Sequence, residues 1–167
     1  MIKVAVIGVG SISECHLDAY VKNKDAELYA ICDINPETLK RQGERYNIPE
    51  ERRFLDYKEL LKLPEIDAVS VCTWNSEHAP VTIAALQAGK NVLCEKPMSY
   101  DRTELIAMGE KARQTGRVLS ICHVLRYSPF FVKLKELIDS GAIGQLVSIQ
   151  HIESVGYWHM AHSFVRG

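Results

Sequence analysis

Lys3-Val4-Ala5-Val6-Ile7-Gly8-Val9-Gly10-Ser11-Ile12-Ser13 opens the chain with an apolar run that breaks at two glycines and passes into a helical pattern. The order of residue types gives a strand, a tight turn and a helix, and the chemistry of the turn suits a phosphate. Gly8 permits the sharp turn, and Gly10 leaves the backbone bare for a pyrophosphate. Ser11 and Ile12 then lead into a helix whose unpaired N–H groups and positive dipole end meet the charge. The third small position holds Ser13 in place of glycine or alanine, at a point of close helix-to-strand packing that serine tolerates. A strand-turn-helix without a ligand shows the same local pattern, so the rest of the chain has to decide.

A dinucleotide site needs an acidic residue at the end of the second strand, about 20 residues beyond the glycines. Asp33 closes the run Ala26-Glu27-Leu28-Tyr29-Ala30-Ile31-Cys32, and Asn35-Pro36 opens the next helix with a cap and a first-turn proline. Asp33 is read as the partner of the adenine ribose hydroxyls, with a simple turn or cap as the alternative. A ribose 2′-phosphate beside it would cost on the order of 4 kcal/mol per unit charge at 4 Å and an effective dielectric of 20. NAD is therefore the expected cofactor and NADP the less favoured one, although Lys40 and Arg41 would soften the preference if they faced the adenosine.

Twenty basic residues nearly cancel 21 acidic ones, and no basic run marks a nucleic-acid partner. No apolar stretch reaches the roughly 20 residues of a membrane span, and no leader pattern precedes the first strand, so a cytoplasmic address is expected. Cys15, Cys32, Cys72, Cys94 and Cys122 are widely spaced, without a paired motif for zinc or redox work, and no metal site is expected. Four of them lie in or beside apolar strand-like runs and read as small buried hydrophobes.

Short β-rich runs alternate with helical segments through the first 122 residues: Ile2 to Ile7, Glu27 to Asp33, a weak run at Arg53-Phe54, Ala68 to Cys72, Asn91 to Cys94 and Val118 to Cys122. Asp56 with Glu59 and Asp101 with Glu104 resemble capping boxes, and Gly89 and Gly116 are placed as helix stops. The expectation is an α/β fold, a doubly wound parallel Rossmann sheet over 1–122, followed over 123–167 by the beginning of an α+β substrate domain.

Ligands of such sheets lie beyond the carboxyl ends of the strands. After the fourth strand comes Thr73-Trp74-Asn75-Ser76-Glu77-His78, and after the fifth Glu95-Lys96-Pro97. With the glycine turn and Asp33, these four ordered motifs resemble the glucose-fructose oxidoreductase and inositol dehydrogenase family, also called Gfo/Idh/MocA. The resemblance continues through Arg126-Tyr127 and the Lys135 to Gly144 stretch.

The resemblance implies that Glu95-Lys96-Pro97 lies beside the nicotinamide, with Lys96 reaching cofactor and substrate hydroxyl and a cis bond before Pro97. Hydride removal from an alcohol carbon develops carbonyl character, and a lysine supplies positive charge to the oxygen. Glu95 is expected to position Lys96 or the cofactor. Thr73 and Asn75 are expected to line the cofactor cleft with Trp74 as a wall, and His78 either binds the turn or ribose or simply starts a helix. His16 has a family counterpart and an equally good reading as a packed imidazole. Arg126 and Tyr127 border the substrate pocket in one reading and pack the domain crossing in the other.

After Ser128-Pro129 an amphipathic helix carries Phe130, Phe131, Leu134, Leu137 and Ile138, and Leu146 to Val155 reads as a long strand. By resemblance that strand begins the substrate sheet and an oligomer interface, so a homo-oligomer is expected. His159 and His162, at i and i+3, make a poor metal pair without a third ligand. The family's downstream acid/base motif has no convincing match after Ser154. Three readings stay open: the cofactor-binding portion of an NAD-dependent sugar or inositol oxidoreductase without full activity, a non-catalytic NAD-holding module, and a relative of NAD-dependent glycoside hydrolases.

Overall fold

A computed structural model of the chain describes residues 1–157 and 161. Two compact units divide it, Met1–Cys122 and the residues from His123 onward. The first unit is a six-stranded, all-parallel sheet in the order β3-β2-β1-β4-β5-β6. Its strands are β1 (Ile2–Ile7), β2 (Ala26–Cys32), β3 (Arg53–Phe54), β4 (Ala68–Val71), β5 (Asn91–Cys94) and β6 (Leu119–Ile121). Between them run α1 (Ser13–Lys22), α2 (Pro36–Arg45), α3 (Tyr57–Leu61), α4 (His78–Gln87) and α5 (Arg102–Thr115). The Rossmann expectation holds, with strand limits within one residue of those read from the sequence.

Side-chain alternation divides the interior into two layers. Ala5 and Ile7 of β1 and Ala30 and Cys32 of β2 face one layer, where Leu60, Ala79, Val81, Ala85, Leu86 and Met108 from α3, α4 and α5 cover them. Val6 and Ile31 face the other, under Leu17 of α1 and Leu39 of α2. In α4 the buried positions Ala79, Thr82, Ala85 and Leu86 recur at helical spacing, so the helix settles with that stripe on the sheet.

Helix ends follow the sequence signals. Asn35 accepts from the N–H groups of Glu37 and Thr38 with Pro36 at the first helical position, and Gly89 and Gly116 turn left-handed at φ 77° and 65°. The capping of α5 is less direct than a reciprocal box: Asp101 accepts from Thr103 and Glu104 N–H, while Glu104 bonds the Ser99 hydroxyl, which accepts from Asp101 N–H. At α3, Asp56 takes only the Lys58 N–H among these side-chain caps.

The second unit opens with a short 3₁₀ turn, Val124–Tyr127, and then α6 (Pro129–Asp139), where Phe130 and Phe131 meet edge to face at 5.2 Å. The strand expected over Leu146 to Val155 does not form, and those residues carry no regular structure. A strand needs a neighbour for its N–H and C=O groups, and among the described residues of this unit there is none. His159 and His162 lie outside the described residues.

Candidate cofactor-binding site

The sheet order reverses between β1 and β4, which opens a crevice at their carboxyl ends where such folds hold ligands. Gly8 enters it at φ 85°, and a Cβ there would stand 2.6 Å from the Cys72 carbonyl oxygen at the end of β4. Glycine is required at Gly8 on both grounds. Gly10 differs: a Cβ there would meet nothing within 4 Å, so the backbone is bare toward open space. Ser11 and Ile12 are exposed, and Ile12 precedes α1 without a side-chain cap. No side chain therefore competes with an anion for the start of this ten-residue helix. Ser13 is fully buried and donates to the Gly10 carbonyl at 2.6 Å, so the departure from glycine adds a bond that closes the turn.

Asp33 stands at the end of β2 and grips the same turn. Its Oδ2 accepts from Val9 N–H and its Oδ1 from Asn35 N–H, both at 2.8 Å. Gln42 of α2, 1 % exposed, donates from Nε2 to the Val9 carbonyl at 3.3 Å. The Val9 peptide is therefore held at both ends, a clamp that the sequence motif does not announce. Each carboxylate oxygen has a second lone pair, so the half-exposed Asp33 keeps acceptor capacity for ribose hydroxyls. Bare Gly10, the uncapped start of α1 and the placement of Asp33 together fit a dinucleotide.

The loops after β4 and β5 are tied together by His78, which is 1 % exposed. Its Nδ1 lies 2.7 Å from the Pro97 carbonyl oxygen and its Nε2 3.2 Å from that of Thr73. The ring thus lies between backbone carbonyls of the two loops and ties them together through the nitrogen that carries the proton. Asn75 bonds the Tyr100 hydroxyl, Thr73 donates to the Trp74 carbonyl at 3.3 Å, and Trp74 is exposed. The Lys96–Pro97 peptide is cis, as the family pattern implied. Lys96 is exposed, and among the described residues no carboxylate pairs with it.

Glu95, next to Lys96, points the other way. It is 5 % exposed, with Oε1 2.9 Å from His16 Nε2 and Oε2 accepting from Lys96 N–H at 3.1 Å. Behind it, His16 Nδ1 lies 3.2 Å from Ser70 Oγ, which lies 2.6 Å from the Tyr20 hydroxyl. Burial alone would raise the Glu95 carboxyl, but hydrogen bonds from His16, Cys122 and Lys96 N–H hold it below the usual range. Glu95 thus holds the backbone of Lys96 through that N–H. The cysteines behave as expected of buried thiols: burial lifts Cys32 to about 12 and Cys94 to about 11, and Cys72 higher still. Arg126 and Tyr127 lie exposed on the 3₁₀ turn that opens the second unit.

Residues 2–123 match the family model described as an oxidoreductase family with an NAD-binding Rossmann fold, GFO_IDH_MocA. The chain belongs to the Gfo/Idh/MocA oxidoreductase family. Within the family it is similar to a myo-inositol 2-dehydrogenase from Thermotoga maritima, 34% identical over 143 residues, covering 86% of this chain and 42% of the relative. An inositol 2-dehydrogenase/D-chiro-inositol 3-dehydrogenase from Lactiplantibacillus plantarum is 32% identical over 146 residues, covering 86% and 41%. Among solved structures, a probable dehydrogenase from Thermotoga maritima superposes with a TM-score of 0.81 at 34% identity, over 86% of this chain and 42% of that one. The WlbA dehydrogenase from Bordetella pertussis, solved with NADH and UDP-GlcNAcA, gives 0.81 at 29% identity, over 86% and 43%. The chain thus spans about two fifths of the length of these Gfo/Idh/MocA relatives.

Proposed function

We propose that this chain carries the NAD-binding, lysine-bearing part of a dehydrogenase that moves hydride between nicotinamide and a secondary hydroxyl of an inositol or sugar. The observation that carries the proposal is the convergence of three features at one crevice: the bare Gly10 turn, the Asp33 carboxylate beside it, and the exposed Lys96 on its anchored loop. Gly10 and the start of α1 would hold the pyrophosphate, and Asp33 the adenine ribose. The charge argument at Asp33 supports NAD over NADP. Bound nicotinamide supplies the hydride chemistry.

Lys96 then serves the reacting oxygen. Its ammonium stabilises negative charge on the alcohol oxygen as the carbon gains carbonyl character, and Glu95 fixes the backbone from which it projects. Accepting the hydroxyl proton requires a further group, which we assign to no residue of this chain. Arg126 and Tyr127 remain the proposed border of the substrate pocket. The test is transfer of deuterium to NAD from polyols deuterated at the reacting carbon, with a panel of inositols and aldoses. Transfer from at least one supports the dehydrogenase reading. Tight NAD binding with no transfer from any would reduce the chain to a module that holds the cofactor.

A further inference from the structure

Cofactor binding makes no use of the Cys122 thiol or of the ring nitrogen that His16 turns toward Glu95, yet the fold brings all three side chains together. One ligand atom from each of His16, Glu95 and Cys122 lies within 4.8 Å of the other two. The residues come from α1 and from the ends of β5 and β6, so no local spacing shows the group. We propose that His16 Nε2, the Glu95 carboxylate and Cys122 Sγ form a site for one thiophilic divalent cation, best matched by Zn²⁺.

Imidazole, carboxylate and thiolate are the three ligand types zinc takes from proteins, and three of them leave a fourth position for water. Charge balance suits the interior, because one carboxylate and one thiolate cancel a dication that could not otherwise be buried. The surrounding hydrogen bonds are those a ligating histidine and glutamate need. With Nε2 on the cation, the His16 proton sits on Nδ1 and points at Ser70 Oγ, 3.2 Å away, while Lys96 N–H keeps hold of Glu95 Oε2. Tyr20, 2.6 Å from Ser70 Oγ, fixes that hydroxyl in turn.

Entry of the ion rearranges protons without redox chemistry. The 2.9 Å contact of His16 with Glu95 opens, since tetrahedral bonds of about 2.0–2.3 Å spread neighbouring ligand atoms to roughly 3.3–3.8 Å. Binding of the ion releases the Cys122 thiol proton to solvent. The thiolate forms as the cation displaces that proton. Cys122 is half-buried, which gives the ion a way in.

The test uses the full 167-residue chain. Calorimetric titration with Zn²⁺ is expected to give one equivalent bound, and Co²⁺ a thiolate-to-metal charge-transfer band. C122S abolishes the band and weakens Zn²⁺ binding by more than about tenfold, and H16Q weakens it similarly. C15S and the double variant H159A/H162A leave both signals unchanged. C122S alters only a half-buried sulfur, so it decides the matter even where H16Q misfolds. Absence of binding by the folded chain overturns the proposal. So does binding that survives C122S, or binding lost in C15S or in the histidine double variant.

Discussion

Replacing Asp33 separates two tasks that the structure gives to one carboxylate. In Asp33→Ala the Val9 N–H loses its partner at 2.8 Å, inside a residue that is 0 % exposed. An orphaned buried donor costs about 1–3 kcal/mol, and at about 2–4 °C per kcal/mol for a chain of this size Tm falls by roughly 2–12 °C. The Asn35 N–H, also released, is exposed and turns to water. Asp33→Asn keeps a carbonyl oxygen that Val9 N–H can use, so its Tm stays near that of the parent. Both variants lose the charge that opposes a 2′-phosphate. At about 4 kcal/mol the full effect is on the order of a thousandfold in the NAD-to-NADP ratio, and screening at a half-exposed site leaves a smaller but measurable part. Thermal melts with NAD and NADP titrations on parent, Asn and Ala variants read both tasks. An Ala variant as stable as the parent would refute the clamp, and an Asn variant with an unchanged NAD-to-NADP ratio would refute the ribose assignment.

Gly8→Ala is expected to lose NAD binding and stability together, because its positive φ costs about 1–2 kcal/mol for alanine before the Cys72 carbonyl at 2.6 Å is moved. Gly10→Ala has no neighbour to meet, so the melt should be unchanged while NAD affinity drops, and an affinity equal to the parent's would place the pyrophosphate elsewhere. Lys96→Ala should bind NAD nearly as the parent does but abolish deuterium transfer, and residual transfer would count against its role. The Glu95 carboxyl titrates below its ordinary 4.5 in the folded chain, so its contribution to stability is present above that value and is lost as pH falls through the folded one. Urea unfolding followed into acid should therefore show a steeper loss for the parent than for Glu95→Gln, and equal slopes would contradict the buried, bonded carboxylate.

The sheet was legible because each strand combines a buried apolar run with a clear stop. Gly8, Asn35-Pro36, Gly89 and Gly116 carry that punctuation in single residues, and their caps and turns form where local chemistry requires. Leu146 to Val155 shows the limit of the same reasoning. Its apolar, β-branched pattern is real, but a strand exists only with a ladder partner, which a local pattern does not supply. The site divides along the same line. Gly8, Gly10, Asp33 and Lys96 announce themselves through turn chemistry and strand ends. The chain from Tyr20 through Ser70 and His16 to Glu95 joins residues 50 to 79 positions apart, and Ser70 looks in sequence like one small residue inside an apolar strand. Gln42 was missed for the same reason, since its partner, the Val9 carbonyl, is 33 residues away.

Calorimetric titration of the chain with NAD and, separately, NADP tests the central claim most directly. The account predicts saturable binding of NAD, tighter than that of NADP, and loss of it in Gly10→Ala with the fold intact. No binding of either nucleotide by the folded chain would contradict the assignment of the β1–β4 crevice as a cofactor site.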